Sequence, residues 1–179
     1  MTKSGVITKV NKAAGITEAI RLLTSRCVKV GIPAGPARDD AEGEGLTNAQ
    51  IGYIHENGSP KRNIPARPFL LPGIRVAQKQ IVAMLEDAGK QALEGKAQGV
   101  AKALDAAGKV ATNSVRAQFV ENDWPELAEG TLKKRPKAQR DESGKIIRRG
   151  KSREEKGRTN PLLDTNQLRD SITYVVEKR

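Results

Sequence analysis

Residues 51–74 read IGYIHENGSPKRNIPARPFLLPGI and hold the most specific local signals in the chain. Together with the residues just before them, they predict a short helix over 48–58. Thr47 or Asn48 can cap its start, because a short polar side chain accepts a hydrogen bond from a free backbone N–H. Gly58 suits its end, where a left-handed conformation costs little only for glycine.

Three prolines shape the rest of this segment, and they stand at Pro60, Pro65 and Pro68. Proline fixes φ and lacks an N–H donor, so the pattern predicts a stiff, extended connector and not a continuing helix. Phe69 begins an apolar anchor after the connector, and Pro72 leads into the next helix.

Two later segments carry comparable signals. WPELAEGTLKKR at 124–135 places the chain's one tryptophan before a proline, which predicts that Trp124 covers the core and that a short helix follows. PLLDTNQLRDSITYVVE, near the end of the chain, predicts a helix over 166–171 followed by a strand. Asp164 or Thr165 can cap that helix.

In this order, the three segments resemble the neck or tail-completion proteins of tailed bacteriophages, a family that includes minor tail-component and virion-morphogenesis proteins. The shared patterns are HExG running into IPARPFL, then WPxL before TLxx(R/K), then LDTGxLxxSI. Asn166 replaces the glycine of the last pattern, and asparagine is the next most tolerant residue for a left-handed turn. The resemblance covers roughly 16–135 and 160–179, and it leaves 136–159 unexplained.

The resemblance implies a structural protein of the virion, made in the host bacterial cytoplasm and located at the head–tail junction. It implies a ring, expected to be a hexamer because tails are six-fold, that completes or connects the neck and tail. The expected partners are further copies of the chain, adjacent head-closure or connector proteins, tail-tube or terminator proteins, and packaged DNA in the channel. A tail-terminator protein is the alternative within the same resemblance.

Six residues of the motif segments are candidates for subunit or partner contacts: His55, Glu56, Arg67, Phe69, Asp164 and Arg169. Arg67 lies between two prolines, so its side chain leaves a rigid backbone. It is either a solvated arginine or an inter-subunit contact to a carboxylate. His55 is the chain's one histidine, and a metal site needs three or four ligands, which favours a structural or interface role.

The composition predicts a modest core within one domain over 1–179. Only 3% of residues are aromatic and 37% are hydrophobic, so the core must come from Val, Ile, Leu and Ala. No apolar run approaches the roughly 20 residues of a membrane span, and the first residues lack a signal-peptide pattern. Cys27 has no second cysteine to pair with, and we expect a small buried side chain there.

Periodicity predicts an α+β fold, in which a small antiparallel sheet packs with a long helix and several short ones. An amphipathic helix is expected over 16–25 and a strand over 26–32, followed by an acidic loop over 37–45. Residues 73–119 predict two helices, or one long bent helix, with a break near 95–99, because glycines weaken a helix interior.

The positive charge is concentrated in one segment. Twelve Lys or Arg and four Asp or Glu lie over 131–158, which is +8 of the chain's net +11. Residues 136–159 are expected to form a basic loop or hairpin, with a turn over 142–145 and a short strand over 145–148. It is either a solvated loop or an arm that binds an acidic partner. The candidate arm residues are Lys133, Lys134, Arg135, Arg148, Arg149, Lys151 and Arg153.

Two other classes of function remain beside the structural one. The basic segment favours a non-specific nucleic-acid-binding protein, although no helix-turn-helix, zinc-finger or aromatic RNA-binding signature is present. An enzyme is not expected, because one His, one Cys and no glycine-rich phosphate loop offer little catalytic chemistry. The sequence therefore predicts no catalytic residue, no cofactor and no metal.

Overall fold

The computed structural model describes residues 13–36, 45–121, 124–134, 139–140, 142–143, 146–148, 150–157, 159–160, 162 and 166–179. Within them the helices are α1 (Ala13–Thr24), α2 (Asn48–Asn57), α3 (Leu70–Val76), α4 (Gln78–Leu93), α5 (Ala97–Glu121), α6 (Glu129–Lys133) and α7 (Gln167–Asp170). The strands are β1 (Arg26–Gly31), β2 (Gln139–Arg140), β3 (Ile146–Arg148) and β4 (Thr173–Lys178). The α+β class is confirmed. Most of the expected acidic loop lies outside the described residues.

The chain forms two compact units. The first comprises Met1–Gly31, Ile74–Ser114 and Thr173–Arg179, and the second comprises Ile32–Gly73 and Val115–Ile172. Each unit is therefore assembled from distant parts of the sequence. The expectation of one domain over the whole chain stays a prediction.

The first unit is built on a two-stranded antiparallel sheet. β1 pairs with β4 from Arg26 opposite Lys178 to Gly31 opposite Thr173. Val28 and Val176, which are directly opposite each other, pack against a buried cluster supplied by the helices. The cluster consists of Ala19, Ala92, Val100 and Leu104. Small side chains dominate it, as the low aromatic content predicts.

The predicted break in the long helix is confirmed. α4 ends at Leu93 and α5 begins at Ala97, with Gly95 at φ 73° between them. A Cβ at Gly95 would lie 3.2 Å from the carbonyl carbon of Gly15 in α1, so glycine is required by both conformation and space. A further interruption at Ala77, between α3 and α4, was not predicted.

Strand β4 is fixed to α5 through Tyr174. Its ring fills the space above Gly108, where a Cβ would overlap the ring atoms. Its hydroxyl donates a hydrogen bond to Asp105, and Lys109 forms an ion pair with the same carboxylate at 2.7 Å. The hydrogen bonds from Lys109 and Tyr174 lower the pKa of Asp105, and the bond to Asp105 raises the pKa of Tyr174.

The basic segment contains the predicted hairpin. β2 pairs antiparallel with β3, and residues 142–143 form a turn between them. An irregularity in the register falls at Gln139 and Arg140. The short strand predicted over 145–148 is thus confirmed at Ile146–Arg148.

In the second unit, α3 and α5 approach each other at a glycine. A Cβ added to Gly73 would lie 2.5 Å from the Cα of Val115, which is fully buried. Two backbones this close leave no room for a methyl group, so Gly73 sets the separation of the two helices here. Gly89 in α4 is different, because an added Cβ there meets nothing within 4 Å.

We expect Gly73→Ala and Gly89→Ala to change stability in opposite directions. Gly73→Ala forces the helix backbones apart and should lower the free energy of unfolding by about 1–3 kcal/mol. Gly89→Ala improves helix propensity without a clash and should raise it by about 0.5–1 kcal/mol. Urea unfolding followed by circular dichroism measures both. Equal effects of the two substitutions would contradict the close approach at Gly73.

Candidate functional site: the junction of the three motifs

Helix α2 begins and ends where the sequence predicted. Thr47 is its N-cap and forms a capping box with Gln50. The backbone N–H of Gln50 donates to the Thr47 hydroxyl, and the backbone N–H of Thr47 donates to the side-chain oxygen of Gln50. Gly58 follows the last turn at φ 73° and ψ 176°. That combination is an extended conformation with positive φ, open essentially only to glycine, rather than the left-handed helical one expected.

The connector after α2 is only partly extended. Ser59 and Ile64 exchange two backbone hydrogen bonds of 2.9 and 3.0 Å, which close a small loop containing a 3-10 turn at Pro60–Arg62. Proline is compatible with this turn because it stands at the first position, where its missing N–H is not needed. The prediction of an extended connector is therefore wrong for its first half. Residues 65–69 have no helix or strand assignment.

Arg67 is buried, with 4% of its surface exposed. Its Nε and Nη2 donate to the carbonyl oxygen of Pro125 at 3.2 and 3.0 Å, and Nη2 also donates to the carbonyl oxygen of Glu126 at 3.2 Å. Burial lowers the pKa of the guanidinium. Both sequence interpretations are corrected, because the side chain is neither solvated nor directed at a carboxylate. It holds the second motif segment against the first.

Glu56 joins α2 to the start of α3. One carboxylate oxygen accepts hydrogen bonds from the N–H groups of Phe69 and Leu70 at 2.8 and 2.9 Å, and the other accepts one from Leu71 at 3.1 Å. The first N–H groups of a helix have no partner within it, and their partial positive charge favours a carboxylate. Glu56 thus caps a helix that begins 14 residues further along the chain.

An aromatic cluster lies beside these two contacts. The rings of Phe69 and Phe119 have centroids 4.8 Å apart, and Trp124 approaches Phe119 edge-on at 6.0 Å. Phe69 and Phe119 are 2% and 0% exposed, whereas Trp124 is half-buried. The predicted role of Trp124 as a cover of the core is confirmed.

The third motif segment reaches the same cluster. A Cβ on Gly52 of α2 would lie 3.6 Å from both Leu168 and Phe69, so all three residues meet at one point. Asn166 precedes α7 at φ 61° and ψ −2°, which confirms the predicted left-handed turn without glycine. We call the set Glu56, Arg67, Phe69, Phe119, Trp124 and Leu168, with the carbonyls of Pro125 and Glu126, the motif junction.

The remaining candidates of the motif segments are more dispersed. His55 is half-buried, and its backbone carbonyl accepts a hydrogen bond of 2.6 Å from the N–H of Arg67. Arg169 contacts its neighbour Asp170 at 3.0 Å. Asp164 lies outside the described residues. Their proposed role in subunit contacts stays a prediction, whereas Phe69, Arg67 and Glu56 already have partners inside the chain.

Sequence reasoning missed two residues that fasten this unit. Arg116 of α5 donates to the carbonyl oxygens of Asp170 and Ile172 at 3.3 and 2.7 Å, which ties α5 to the end of α7. Asn160 donates to the carbonyl oxygen of Phe119 at 3.1 Å and accepts from the N–H of Leu162 at 3.1 Å. Neither residue belongs to a motif. Their role in fastening the unit depends on carbonyl groups far along the chain, so no pattern in the sequence signals it.

The basic segment is anchored at its end. Ser152 is 4% exposed. Its backbone N–H donates to the Glu155 carboxylate at 2.7 Å, and the backbone N–H of Glu155 donates to the Ser152 hydroxyl at 3.2 Å. Arg153 donates to the carbonyl oxygen of Asn160 at 2.9 Å. Residues 150–157 are therefore anchored at Ser152 and Arg153, although Lys151 and residues 154–157 are exposed.

The other arm candidates are less constrained. Lys133 forms an ion pair with Glu129 one turn earlier in α6, and Lys134 and Lys151 are exposed. Arg148 is described only as a residue of β3, and Arg135 and Arg149 lie outside the described residues. Lys133, Lys134 and Lys151 thus lie at the surface, and their role in a binding arm stays a prediction.

Two further kinds of site are absent from the part of the chain that the structure describes. No group of three or more His, Cys, Asp or Glu side chains there is placed to hold a metal ion. No helix among those residues is long and apolar enough to cross a membrane.

Comparison with known proteins gives little further guidance. No family model matches the chain, and no solved structure matches it. A 41-residue stretch is 45% identical to an uncharacterised protein of Methanocaldococcus jannaschii, which covers 23% of this chain and 30% of that protein. The chain thus spans under a third of that relative, and the match assigns no activity.

We expect Arg67→Lys to destabilise the protein although it keeps the charge. Lysine cannot reproduce the fork that serves two carbonyls, so a buried acceptor is left unsatisfied, which costs about 1–3 kcal/mol. Arg75→Lys is the matched control, because Arg75 is exposed in α3 and the change should stay within about 0.5 kcal/mol. Both values come from chemical denaturation. Wild-type stability of Arg67→Lys would show that these bonds are not needed.

Proposed function

We propose that this chain is a structural protein of the bacteriophage virion, located at the head–tail junction, where copies form a ring that completes or connects the neck and tail. The proposal assigns it an architectural role with no catalytic step. The observation that carries it is the motif junction. Three segments that resemble one family, in the family's order, meet around Phe69 and Phe119.

The contacts of the junction support an architectural role. Glu56 satisfies three backbone N–H groups, and Arg67 satisfies two carbonyls. These side chains are used to hold backbone segments in place, which is what a scaffold requires and what a catalytic acid or base does not do. A ring under mechanical load would depend on such a rigid unit.

The surface of the same unit leaves apolar side chains for partners. Tyr53, Leu71 and Val120 are 71%, 58% and 63% exposed. Single exposed apolar side chains are common on soluble proteins, but tyrosine is enriched at protein interfaces. These three residues are therefore better candidates for subunit contacts than the buried Phe69.

The basic segment supports a second candidate, a protein that binds nucleic acid without sequence specificity. Its net charge of +8 is suited to phosphate contacts, which weaken steeply with salt. Titration of random duplex DNA at several salt concentrations separates the two. Tight, salt-sensitive binding by the isolated protein favours the second candidate, and weak binding favours the first.

The test of the proposed function is electron microscopy of a lysate from a phage in which this gene is deleted. We expect DNA-filled heads beside finished but unattached tails, with attachment restored by a plasmid copy of the wild-type gene. Abnormally long or unfinished tails would instead indicate a tail terminator. Normal infectious particles would contradict a structural role in the virion.

A further inference from the structure

Helix α4 carries an apolar stripe on its solvent side. Val82, Leu85 and Leu93 are 45%, 42% and 68% exposed. Residues three or four positions apart are neighbours on one face of a helix, so these three side chains form one row with Gly89 between the last two. The buried alanines of α4 lie on the adjacent face, toward the core of the unit. A partner that covered the stripe would remove its apolar surface from water, which is favourable in proportion to the area.

Gly89 leaves a notch in this stripe. A Cβ added at Gly89 would meet nothing within 4 Å, so the space above the helix backbone is open there. When two helices pack, a side chain of one enters a hole between four residues of the other. The four residues around the notch are Glu86, Gly89, Lys90 and Leu93. Because glycine has no side chain, this hole is deep enough for a large apolar side chain.

Two residues of opposite charge flank the notch on one side of the stripe. Glu86 and Lys90 are both exposed, and they lie four residues apart on α4. Among the described residues, neither forms an ion pair with the other or with a third side chain. The opposite flank of α4 carries Gln78, Ile81 and Ala92 and no charge. A partner of this face should therefore offer one positive and one negative group on the charged side only.

We propose that a second copy of this chain covers the stripe, with the two α4 helices antiparallel about a two-fold axis. When Val82 of one copy lies beside Leu93 of the other, Leu85 of each copy enters the notch at Gly89 of the other. The same alignment places Glu86 of each copy beside Lys90 of the other. These pairings agree to within about 1.5 Å along the helix, which is the rise of one residue.

The charged flank decides between the two directions in which the helices could pair. A two-fold axis perpendicular to both helices keeps the charged flanks of the two copies on the same side of the contact. Each Glu86 then meets a Lys90, and the pair forms twice because a two-fold contact is reciprocal. In a parallel arrangement the charged flank of each copy would face the uncharged flank of the other. The charge pattern therefore complements a second, antiparallel copy of the same helix.

The contact is small and closed. α4 has 16 residues and is about 24 Å long, and one face of such a helix is small beside the roughly 800 Å² that each partner buries in a standard interface. We therefore expect a dimer that dissociates on dilution. A two-fold contact is complete with two copies, so it is separate from the ring contact of the proposed function and does not depend on a role in the virion.

The test reverses charges on α4 in the purified full-length protein. Glu86→Lys and Lys90→Glu each place like charges opposite one another in the dimer. The double variant Glu86→Lys/Lys90→Glu restores opposite charges with their positions exchanged. Asp87→Lys is the matched control, because Asp87 is exposed on the same helix but points away from the stripe. Circular dichroism and thermal unfolding confirm that each variant is folded.

Sedimentation velocity over a range of concentrations gives the dissociation constant of the dimer. We expect wild type, Asp87→Lys and the double variant to dimerise with similar constants. Each single reversal should weaken the dimer by about tenfold, because two ion pairs become two like-charge contacts. Gly89→Gln should weaken it by about tenfold or more, because its side chain occupies the notch that Leu85 of the other copy would enter.

Three outcomes would overturn the inference. A wild-type protein that stays monomeric at every concentration would show that α4 does not pair with itself. Single reversals that assemble like wild type, or a Gly89→Gln variant that does so, would place any contact between copies elsewhere. A double variant as weak as the single ones would show that Glu86 and Lys90 do not face each other across the contact.

Discussion

The buried guanidinium of Arg67 is the contact on which the second unit depends. It donates to the carbonyls of Pro125 and Glu126, 58 and 59 residues away, and so ties the second motif segment to the first beside the aromatic cluster. With two phenylalanines in the chain, the apolar core has little hydrophobic free energy to spare. The planar guanidinium of Arg67 can donate to both carbonyls only when they lie in a few relative positions, so these hydrogen bonds fix the position of the second motif segment.

Local conformation was predictable from the sequence where a residue type dictates it. The sequence placed the cap of α2 at Thr47 or Asn48, the helix break at 95–99 and a left-handed turn at Asn166, and the structure agrees, since each follows from the residue's own conformational preference. The roles of Arg67 and Glu56 were not, because their partners are backbone groups that no side-chain pattern reveals. The prolines beside Arg67 predict a rigid backbone at this position, but only the fold shows which groups its side chain contacts.

The same division holds for function. The motif order supports the proposed place in the neck, and the structure explains how the motifs cooperate, with Glu56, Arg67 and Phe69 meeting in one unit. Three of the six residues expected to contact neighbours, Glu56, Arg67 and Phe69, hold segments of their own chain together, and the role of the other three stays a prediction. Among the described residues of the second unit, the exposed apolar side chains left for partners are those of Tyr53, Leu71 and Val120, of which the first two lie in the first motif segment.

Native-state hydrogen exchange tests the central claim, that the motif segments form one cooperative unit. The measurement follows the amide protons of Phe69, Leu70 and Leu71, which bond to Glu56, beside those of α5 around Phe119. The account predicts that both groups exchange through the same opening, with equal free energies. Rapid exchange at 69–71 while α5 stays protected would contradict it, because the capped segment would then open independently of the core.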